Sequence, residues 1–196
     1  MSPTPRISGL VLAAGAGVRF GGLKQLAEID GQPLVSRAVG VLRSASRVDN
    51  LTLAVGAQAE EVLAGANLDG VTVVEVPNWE EGMSASLRAG VAALRDSSDA
   101  IIVTLADQPM ITTATVEAVI NAWNGKARAV RAVHAGQPGH PVLLSSALFD
   151  AVAELRGDVG ARGLLGDATI NVDCGPQAVI DVDTREQLDA LRKADA

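Results

Sequence analysis

Short apolar runs of strand length alternate with helical patterns along the whole chain, and this alternation limits the possible folds more than any other feature. The runs predicted as strands are Ile7–Ala13, Leu51–Val55, Val71–Val76, Ala100–Leu105, Arg128–Val133 and Ala178–Val182. Most are predominantly apolar runs rather than alternating ones, which is typical of strands buried on both faces of a parallel sheet. Between them lie amphipathic stretches with apolar residues on one helical face. The pattern predicts a three-layer α/β/α fold with a mainly parallel sheet and right-handed crossovers.

Length, charge and composition narrow the class of protein. A chain of 196 residues is expected to form one domain spanning 1–196. The formal net charge of -7 and the four aromatic residues argue against binding to a nucleic-acid polymer. No apolar run approaches the ~20 residues that a membrane helix needs, so no membrane association is expected. The first residues lack a signal-peptide pattern, and we therefore expect a cytoplasmic protein.

A glycine-rich segment, AAGAGVRFGGLK at residues 13–24, follows the first predicted strand. In parallel α/β sheets, ligands bind beyond the carboxyl ends of the strands, and glycines let backbone amides approach a phosphate. A dinucleotide fingerprint fails because its third glycine would fall at Phe20, and a P-loop fails because Leu23 follows Gly22. What remains is a glycine loop with two cations, Arg19 and Lys24, which suits a triphosphate. The alternative is a flexible surface loop with solvated side chains.

Three aspartates fall where predicted strands end. Asp107 follows Ala100–Leu105, and a carboxylate at that edge is costly unless it has a partner such as Mg²⁺, which takes one or two carboxylates. The alternative is that Asp107 caps the helix that begins near Thr112. Asp181 and Asp183 are two residues apart in the last predicted strand and would point to the same face. The alternative for this pair is a favourable interaction with the dipole of the last helix.

Other signals mark element boundaries. Thr184 is followed three residues later by Gln187, which is a capping-box spacing at the start of the last helix. Gly82 precedes another predicted helix, for which Ser84 is a candidate cap. The segment 135–139 is predicted as a loop, because strand-like residues resume at 141–144.

Six ordered segments carry a resemblance to a known family. They are LAAGAGVRFGGLK (12–24), GMSASL (82–87), LADQP (105–109), GHP (139–141), GDVGAR (157–162) and DVDT (181–184). The first resembles the signature of nucleotidyltransferases with the nucleotide-diphospho-sugar transferase (GT-A-like) fold. Together the others resemble the molybdenum cofactor cytidylyltransferase branch, over nearly the whole chain. The resemblance implies Mg²⁺-dependent transfer of a nucleoside monophosphate from an NTP to a phosphorylated pterin, with release of pyrophosphate.

The resemblance also implies roles for individual residues. The residues implied in nucleotide binding are Ala13, Ala14, Gly15, Gly17, Arg19, Lys24, Gly82 and Ser84. Lys24, Arg19 and Asp107 would be catalytic, and Asp107 and Asp183 would hold the metal, with Asp181 as the alternative second ligand. CTP is favoured over GTP because Ala14 stands where guanylyl-transferring relatives tend to have glycine.

On the acceptor side, the resemblance implies His140 and Arg162, although a structural histidine and a solvated arginine are the alternatives. A molybdoenzyme or its chaperone is a further partner that the family implies. Guanylyl transfer, transfer to a sugar phosphate, and a non-catalytic cofactor-delivery protein remain the rival functions, and an NAD-dependent enzyme is a more distant one.

Overall fold

The computed structural model describes residues 4–194 of the chain. Its strands are β1 (Ile7–Ala13), β2 (Glu28–Ile29), β3 (Gln32–Pro33), β4 (Asn50–Val55), β5 (Thr72–Glu75), β6 (Ala100–Leu105), β7 (Ala129–His134), β8 (Gln137–Ser145) and β9 (Ile170–Asp173). Its α-helices are α1 (Leu34–Arg43), α2 (Ala59–Gly65), α3 (Met83–Leu94), α4 (Thr113–Ala122), α5 (Phe149–Ala153) and α6 (Arg185–Ala194). Within these described residues, no helix is both long and apolar enough to cross a membrane.

Seven of the strands form one sheet in the order β5-β4-β1-β6-β8-β7-β9. All pairings among β5, β4, β1 and β6 are parallel, whereas β8 runs antiparallel to both of its neighbours. Because β1 and β6 are adjacent and parallel, the loops that follow them emerge at the same edge. The backbone N–H of Ala106 donates to the carbonyl of Leu12 at 3.0 Å, which holds these two loops together.

Each face of the sheet carries its own apolar core. On one face, α1 and α4 pack through residues such as Leu42 and Ile120, and on the other, α3 and α5 pack through residues such as Leu87 and Val152. The side chains of β1 alternate between these cores, since Val11 belongs to the first and Leu10 to the second. This two-sided burial explains why the central strands are predominantly apolar.

A third, smaller core connects the glycine loop to the end of the chain. Phe20, Ile29, Leu34, Val182 and Leu188 form it, and all five are buried. Phe20 therefore anchors the loop from its middle, at the position where a dinucleotide fingerprint would need glycine.

The structure confirms the α/β architecture and five of the six predicted strands, with shifts of one or two residues at some ends. The prediction of a strand at Ala178–Val182 is wrong. Pro176–Ala178 form a 3₁₀ turn, and the following residues are irregular. The edge strand next to β7 is β9, and Ala178 and Val182 are buried without joining the sheet. An apolar run indicates that a segment is buried, but a buried segment does not have to be a strand.

The predicted loop at 135–139 is shorter in the structure. Only Ala135 and Gly136 form the turn, both with positive φ, and Gln137 already pairs with His134 as β8 begins. The sequence predicted a loop here because Pro138 and Gly139 are residues more typical of turns than of strands.

Candidate active site

The glycine loop folds tightly onto itself beyond β1. Gly17 has φ 63°, and its carbonyl accepts hydrogen bonds from the backbone N–H groups of Phe20 and Gly21, both at 3.0 Å. A methyl group on Gly17 would collide with the carbonyl oxygen of Gly22. The loop therefore needs glycine at position 17 for both its backbone conformation and its space.

Gln25 holds the start of the loop in place. This side chain is 5% exposed, and its Nε2 donates to the carbonyls of Ala13 at 2.9 Å and Gly15 at 2.6 Å. Sequence reasoning missed this function. A polar residue directly after the cation Lys24 was the available signal, but it did not identify the two carbonyls.

Lys24 lies between the two aspartates that were predicted as metal ligands. Its Nζ donates to Asp107 Oδ2 at 2.7 Å and to Asp183 Oδ1 at 3.2 Å. Arg19 pairs with the other oxygen of Asp183 at 2.9 Å. The structure thus brings together both predicted cations and both carboxylates. The side chains of Lys24, Asp107 and Asp183 are 15%, 25% and 21% exposed, so water screens this cluster only partly.

Asp183 reaches this cluster through two local devices. The backbone N–H of Val182 donates to the carbonyl of Asp107 at 2.8 Å, which docks the late segment beside β6. The predicted capping box is confirmed, since Gln187 Oε1 accepts from the N–H of Thr184 at 2.9 Å and Thr184 Oγ1 accepts from the N–H of Gln187 at 3.3 Å. Gln187 Oε1 also accepts from the N–H of Asp183 at 2.7 Å and so fixes its backbone.

One cavity of about 460 Å³, here called the glycine-loop cavity, opens beside this cluster. Its lining includes Gly15, Gly17, Arg19, Lys24, Gly82 and Asp183. Ala13 lines an adjoining recess together with Lys24 and Asp107. Most of the predicted nucleotide-binding residues therefore surround one open space.

Two of the predicted nucleotide-binding side chains point elsewhere. Ala14 is 4% exposed and packs in the core, where a Cβ on Gly56 would lie 2.8 Å from the Ala14 methyl group. Ser84 is fully buried, and its hydroxyl has no partner among the residues that the structure describes. Neither side chain lines the glycine-loop cavity.

The amino end of α3 is capped from a distant loop. Asp158 Oδ1 accepts from the N–H of Met83 at 3.0 Å, and the carbonyl of Gly157 accepts from the N–H of Ser84 at 3.2 Å. The alternative in which Ser84 caps this helix is therefore wrong. A carboxylate 75 residues away supplies the cap, and no local pattern could reveal it. The alternative for Asp107 also fails, because Thr112 caps α4 by accepting from Thr115 at 3.2 Å.

A second cavity, of about 450 Å³, lies next to the first and is here called the β8 cavity. Its lining includes Gln108, Arg131, His140, Asp158, Arg162 and Asp181. Both predicted acceptor residues, His140 and Arg162, line it. Asp158 lines both cavities, so the two spaces are contiguous at the capped end of α3. The site therefore has two neighbouring spaces that share Asp158, and Arg19, Lys24 and Asp183 line one of them.

Comparison with known proteins places this geometry in a family. The family model described as "MobA-like NTP transferase domain" matches residues 9–172. The chain belongs to the MobA-like NTP transferase family. It is accordingly a nucleotidyltransferase with the nucleotide-diphospho-sugar transferase fold, as the resemblance implied.

Individual relatives of this MobA-like chain differ in what they do. Nicotine blue oxidoreductase of Paenarthrobacter nicotinovorans is 34% identical, with 94% of this chain and 95% of that protein covered. Rv0371c of Mycobacterium tuberculosis, solved in complex with manganese, is 29% identical with a TM-score of 0.81, covering 96% and 99% of the two chains. A 2-C-methyl-D-erythritol 4-phosphate cytidylyltransferase of Thermobifida fusca is 32% identical over 59% of this chain and 49% of its own length.

The carboxylates of the MobA-like chain suit a hard divalent ion. Asp107 Oδ1 is buried and has no hydrogen-bond partner among residues 4–194, which leaves one oxygen ready to coordinate. The described residues contain no group of three or more metal-ligating His, Cys, Asp or Glu side chains. That number is not needed for Mg²⁺, because phosphate oxygens and waters complete its octahedron around one or two carboxylates.

Asp181 is separated from this cluster. Lys24 contacts Asp107 and Asp183, whereas the Asp181 carboxylate lines the β8 cavity. Burial, and then the charges of Asp183 and Asp107, raise the pKa of Asp181. Burial also lowers the pKa of His140 to about 4, so its ring is neutral near pH 7 and does not add positive charge to the cavity.

Proposed function

We propose that this chain transfers the cytidylyl group of CTP to the phosphate of a phosphorylated pterin, which forms a pterin cytosine dinucleotide and pyrophosphate. The observation that carries the proposal is the position of Lys24 between Asp107 and Asp183, beside the glycine-loop cavity. That cavity shares the lining residue Asp158 with the β8 cavity. One cavity has the size, glycine loop and cations that suit a triphosphate, and the other would hold the acceptor.

In this proposal the glycine-loop cavity holds the nucleotide. The backbone around Gly15 and Gly17 approaches the phosphates, and Lys24 and Arg19 exchange their carboxylate partners for phosphate oxygens. Gly82, at the amino end of α3, would lie near the base. Support for CTP comes from the motifs of the cytidylyltransferase branch and from the cytidylyltransferase among the relatives. The Ala14 methyl group carries less weight than the sequence argument gave it, because it packs in the core.

The reaction needs no general base from the protein. A terminal phosphate of the acceptor is largely dianionic near pH 7, with a second pKa of ~6, so its oxygen can attack the α-phosphorus directly. A bond forms between that oxygen and the α-phosphorus, and the bond to the pyrophosphate oxygen breaks. The remaining task of Lys24 and Arg19 is to hold two anions together and to stabilise charge on the leaving group.

Asp107 and Asp183 would hold Mg²⁺, which when bound neutralises charge on the triphosphate and on the leaving pyrophosphate. The unpartnered Oδ1 of Asp107 supports this assignment. His140 and Arg162 would contact the acceptor from the β8 cavity. A molybdoenzyme or its chaperone would receive the product.

Pyrophosphate release tests this function. The wild-type chain is incubated with molybdopterin, Mg²⁺ and CTP, GTP, UTP or ATP in turn, and CTP is expected to give the fastest release. Asp107→Ala should lower the rate by about 10²–10³-fold, as loss of a group that stabilises charge does. Asp150→Ala, the same change at an exposed carboxylate on α5, is the matched control. A clear preference for GTP would favour guanylyl transfer, whereas nucleotide binding without pyrophosphate release would favour a delivery protein.

Replacing the pterin by sugar phosphates in the same assay tests the remaining transferase alternative. Faster release with a sugar phosphate than with molybdopterin would contradict the proposed acceptor.

A second candidate function is an oxidation–reduction reaction, and the observation that favours it is the relative named nicotine blue oxidoreductase. That protein matches nearly the whole chain, so the shared fold can evidently accompany redox chemistry. The position of Phe20 in the glycine loop argues against a dinucleotide fingerprint. Oxidation of NADH or NADPH in the presence of an aromatic electron acceptor, followed at 340 nm as a general absorbance assay, separates this activity from nucleotidyl transfer.

A further inference from the structure

The β8 cavity contains buried polar atoms that nothing in the described structure satisfies. Gln108 is 8% exposed, and its Oε1 has no hydrogen-bond partner among residues 4–194. The same holds for Nδ1 of His140. A buried polar atom left unpaired is unfavourable, so these atoms indicate a place where a ligand completes the hydrogen bonding.

Gln108 and Asp181 face this cavity from the two sides of one backbone hydrogen bond. The N–H of Val182 donates to the carbonyl of Asp107 at 2.8 Å, and Gln108 and Asp181 are the residues next to those two in the chain. Both side chains line the β8 cavity. The described residues offer Asp181 no cation within ion-pair distance, because Lys24 and Arg19 bind Asp107 and Asp183 instead. The Asp181 carboxylate is therefore available to a ligand.

The rest of the lining sets the shape and charge of that ligand. Leu105 and Val142 contribute apolar walls, which suit the faces of a flat ring. Arg131 is held by Asn171 Oδ1, at 3.2 Å from Nε and 3.0 Å from its terminal nitrogen, and Arg162 lines the cavity as a second cation. The cavity thus combines apolar lining residues, hydrogen-bond acceptors and cations.

We propose that Asp181 and Gln108 determine acceptor specificity by binding the 2-amino-4-oxo edge of a pterin ring, with Arg162 binding an anionic substituent. This inference rests on the proposed function, because it identifies the ring that the acceptor carries. An ionised carboxylate only accepts hydrogen bonds, so Asp181 pairs with the two adjacent N–H groups of that edge. Gln108 Oε1 accepts the remaining hydrogen of the 2-amino group.

Lumazine, the analogue of pterin with oxygen at position 2, presents a different hydrogen-bonding edge. A lumazine ring has a carbonyl in place of the 2-amino group, so one of the two N–H donors facing Asp181 is replaced by an oxygen. A site built to bond an N–H rejects an analogue that lacks it, because its own polar groups are then left unpaired. Two stable fluorescent probes, pterin-6-carboxylate and lumazine-6-carboxylate, therefore test the inference without CTP or turnover.

Fluorescence titration of both probes measures the discrimination. Wild type is expected to bind the pterin about 10- to 100-fold more tightly than the lumazine, the range of a good bidentate contact. Asp181→Asn should reduce this ratio to about threefold or less, because an amide can donate to the lumazine carbonyl. Gln108→Leu should weaken the pterin about tenfold. Asp150→Asn, the same change at an exposed carboxylate on α5 outside both cavity linings, is the matched control, and it should leave the ratio unchanged.

The outcomes separate this inference from the proposed function. An unchanged ratio in Asp181→Asn, or no binding of either probe by wild type, overturns the recognition of the pterin edge. A preserved ratio in a protein that releases no pyrophosphate overturns the nucleotidyl transfer instead. Melting temperatures of all variants are measured in parallel, so that a loss of folding is not mistaken for a loss of specificity.

Discussion

Replacing Lys24 by methionine keeps much of the side chain's length and apolar stem but removes its charge from between two carboxylates. In the structure, Lys24 Nζ lies 2.7 Å from Asp107 Oδ2 and 3.2 Å from Asp183 Oδ1. The ammonium therefore occupies the position in which a metal ion would be attracted to this pair. Its removal should therefore raise the affinity for a divalent metal ion and lower the rate of catalysis.

The size of the effect on stability follows from the geometry. Two unit charges ~3 Å apart attract by about 5 kcal/mol at an effective dielectric constant of ~20. Desolvation of the charges cancels much of this attraction, and the partial exposure of all three side chains reduces it further. An exposed ion pair contributes about 0–1 kcal/mol to stability, whereas breaking a buried pair costs about 3–5 kcal/mol, and this cluster lies between the two cases. We therefore expect Lys24→Met to lower the free energy of unfolding by about 2 kcal/mol, or the melting temperature by about 4–8 °C for a chain of this size.

Metal binding in the absence of nucleotide should become tighter. With the ammonium gone, the two carboxylates have lost their strongest competitor for a divalent cation, and a gain of about 1.4 kcal/mol would lower the dissociation constant for Mn²⁺ tenfold. Calorimetry or the electron paramagnetic resonance of free Mn²⁺ measures this directly. Pyrophosphate release should at the same time fall by about 10²–10³-fold, because Lys24 no longer stabilises the triphosphate.

Lys126→Met is the matched control, since Lys126 is exposed on the loop after α4 and should change none of these properties. If Lys24→Met binds Mn²⁺ no more tightly than wild type, Lys24 does not compete for the carboxylates in solution, and the reasoning fails.

Three further changes probe other parts of the structure. Burial holds the pKa of His140 in the folded chain at about 4, below its ordinary value of 6.5, so protonation favours the unfolded chain. Wild type should lose about 2.5 kcal/mol as the pH falls from 6.5 to 4, and urea denaturation of His140→Gln should show a flatter dependence on pH. Gly17→Ala should weaken CTP binding at least about tenfold in calorimetry, because the added methyl group would collide with the carbonyl oxygen of Gly22. At Gly21 the added methyl group would meet open space, so Gly21→Ala should lower the free energy of unfolding by only about 1 kcal/mol. Thr184→Ala removes one half of a reciprocal cap and should lower stability by about 1 kcal/mol in thermal unfolding, with Thr184→Ser close to wild type.

Local patterns in the sequence predicted the centre of the fold well. The predominantly apolar runs at Ile7–Ala13 and Ala100–Leu105 form β1 and β6 with the predicted bounds. Strands covered on both faces have no solvent-facing positions, so polar residues do not alternate with apolar ones along them. The same reasoning failed at 178–182, where Ala178 is buried in the first core and Val182 in the third, and neither residue joins a strand. The predicted arrival of Asp183 beside Asp107 survived this error, since its position depends on the Val182 hydrogen bond rather than on a strand.

The predicted site residues were found together to different degrees. Lys24, Arg19, Asp107 and Asp183 form one cluster, as the motifs implied. The sequence could predict these residues because cations on a glycine loop suit a phosphate ligand and a carboxylate at a strand end suits a metal ion. Their roles in catalysis and metal binding remain predictions. The resemblance implied roles in nucleotide binding for Ala14 and Ser84, but the direction of a side chain is a property of packing, and packing buries both side chains.

The sequence by itself determined the layered α/β fold, the tight glycine loop and the kinds of charge that the site would contain. These properties depend on residues close together in the chain, through strand periodicity, the left-handed backbone of Gly17 and the capping box at Thr184. Only the tertiary structure decided that Asp158 caps α3, that Gln25 braces the loop and that Asp181 faces a different cavity from Asp183. Each of these depends on which distant segments pack together and on which way a side chain turns, and local sequence spacing carries neither kind of information.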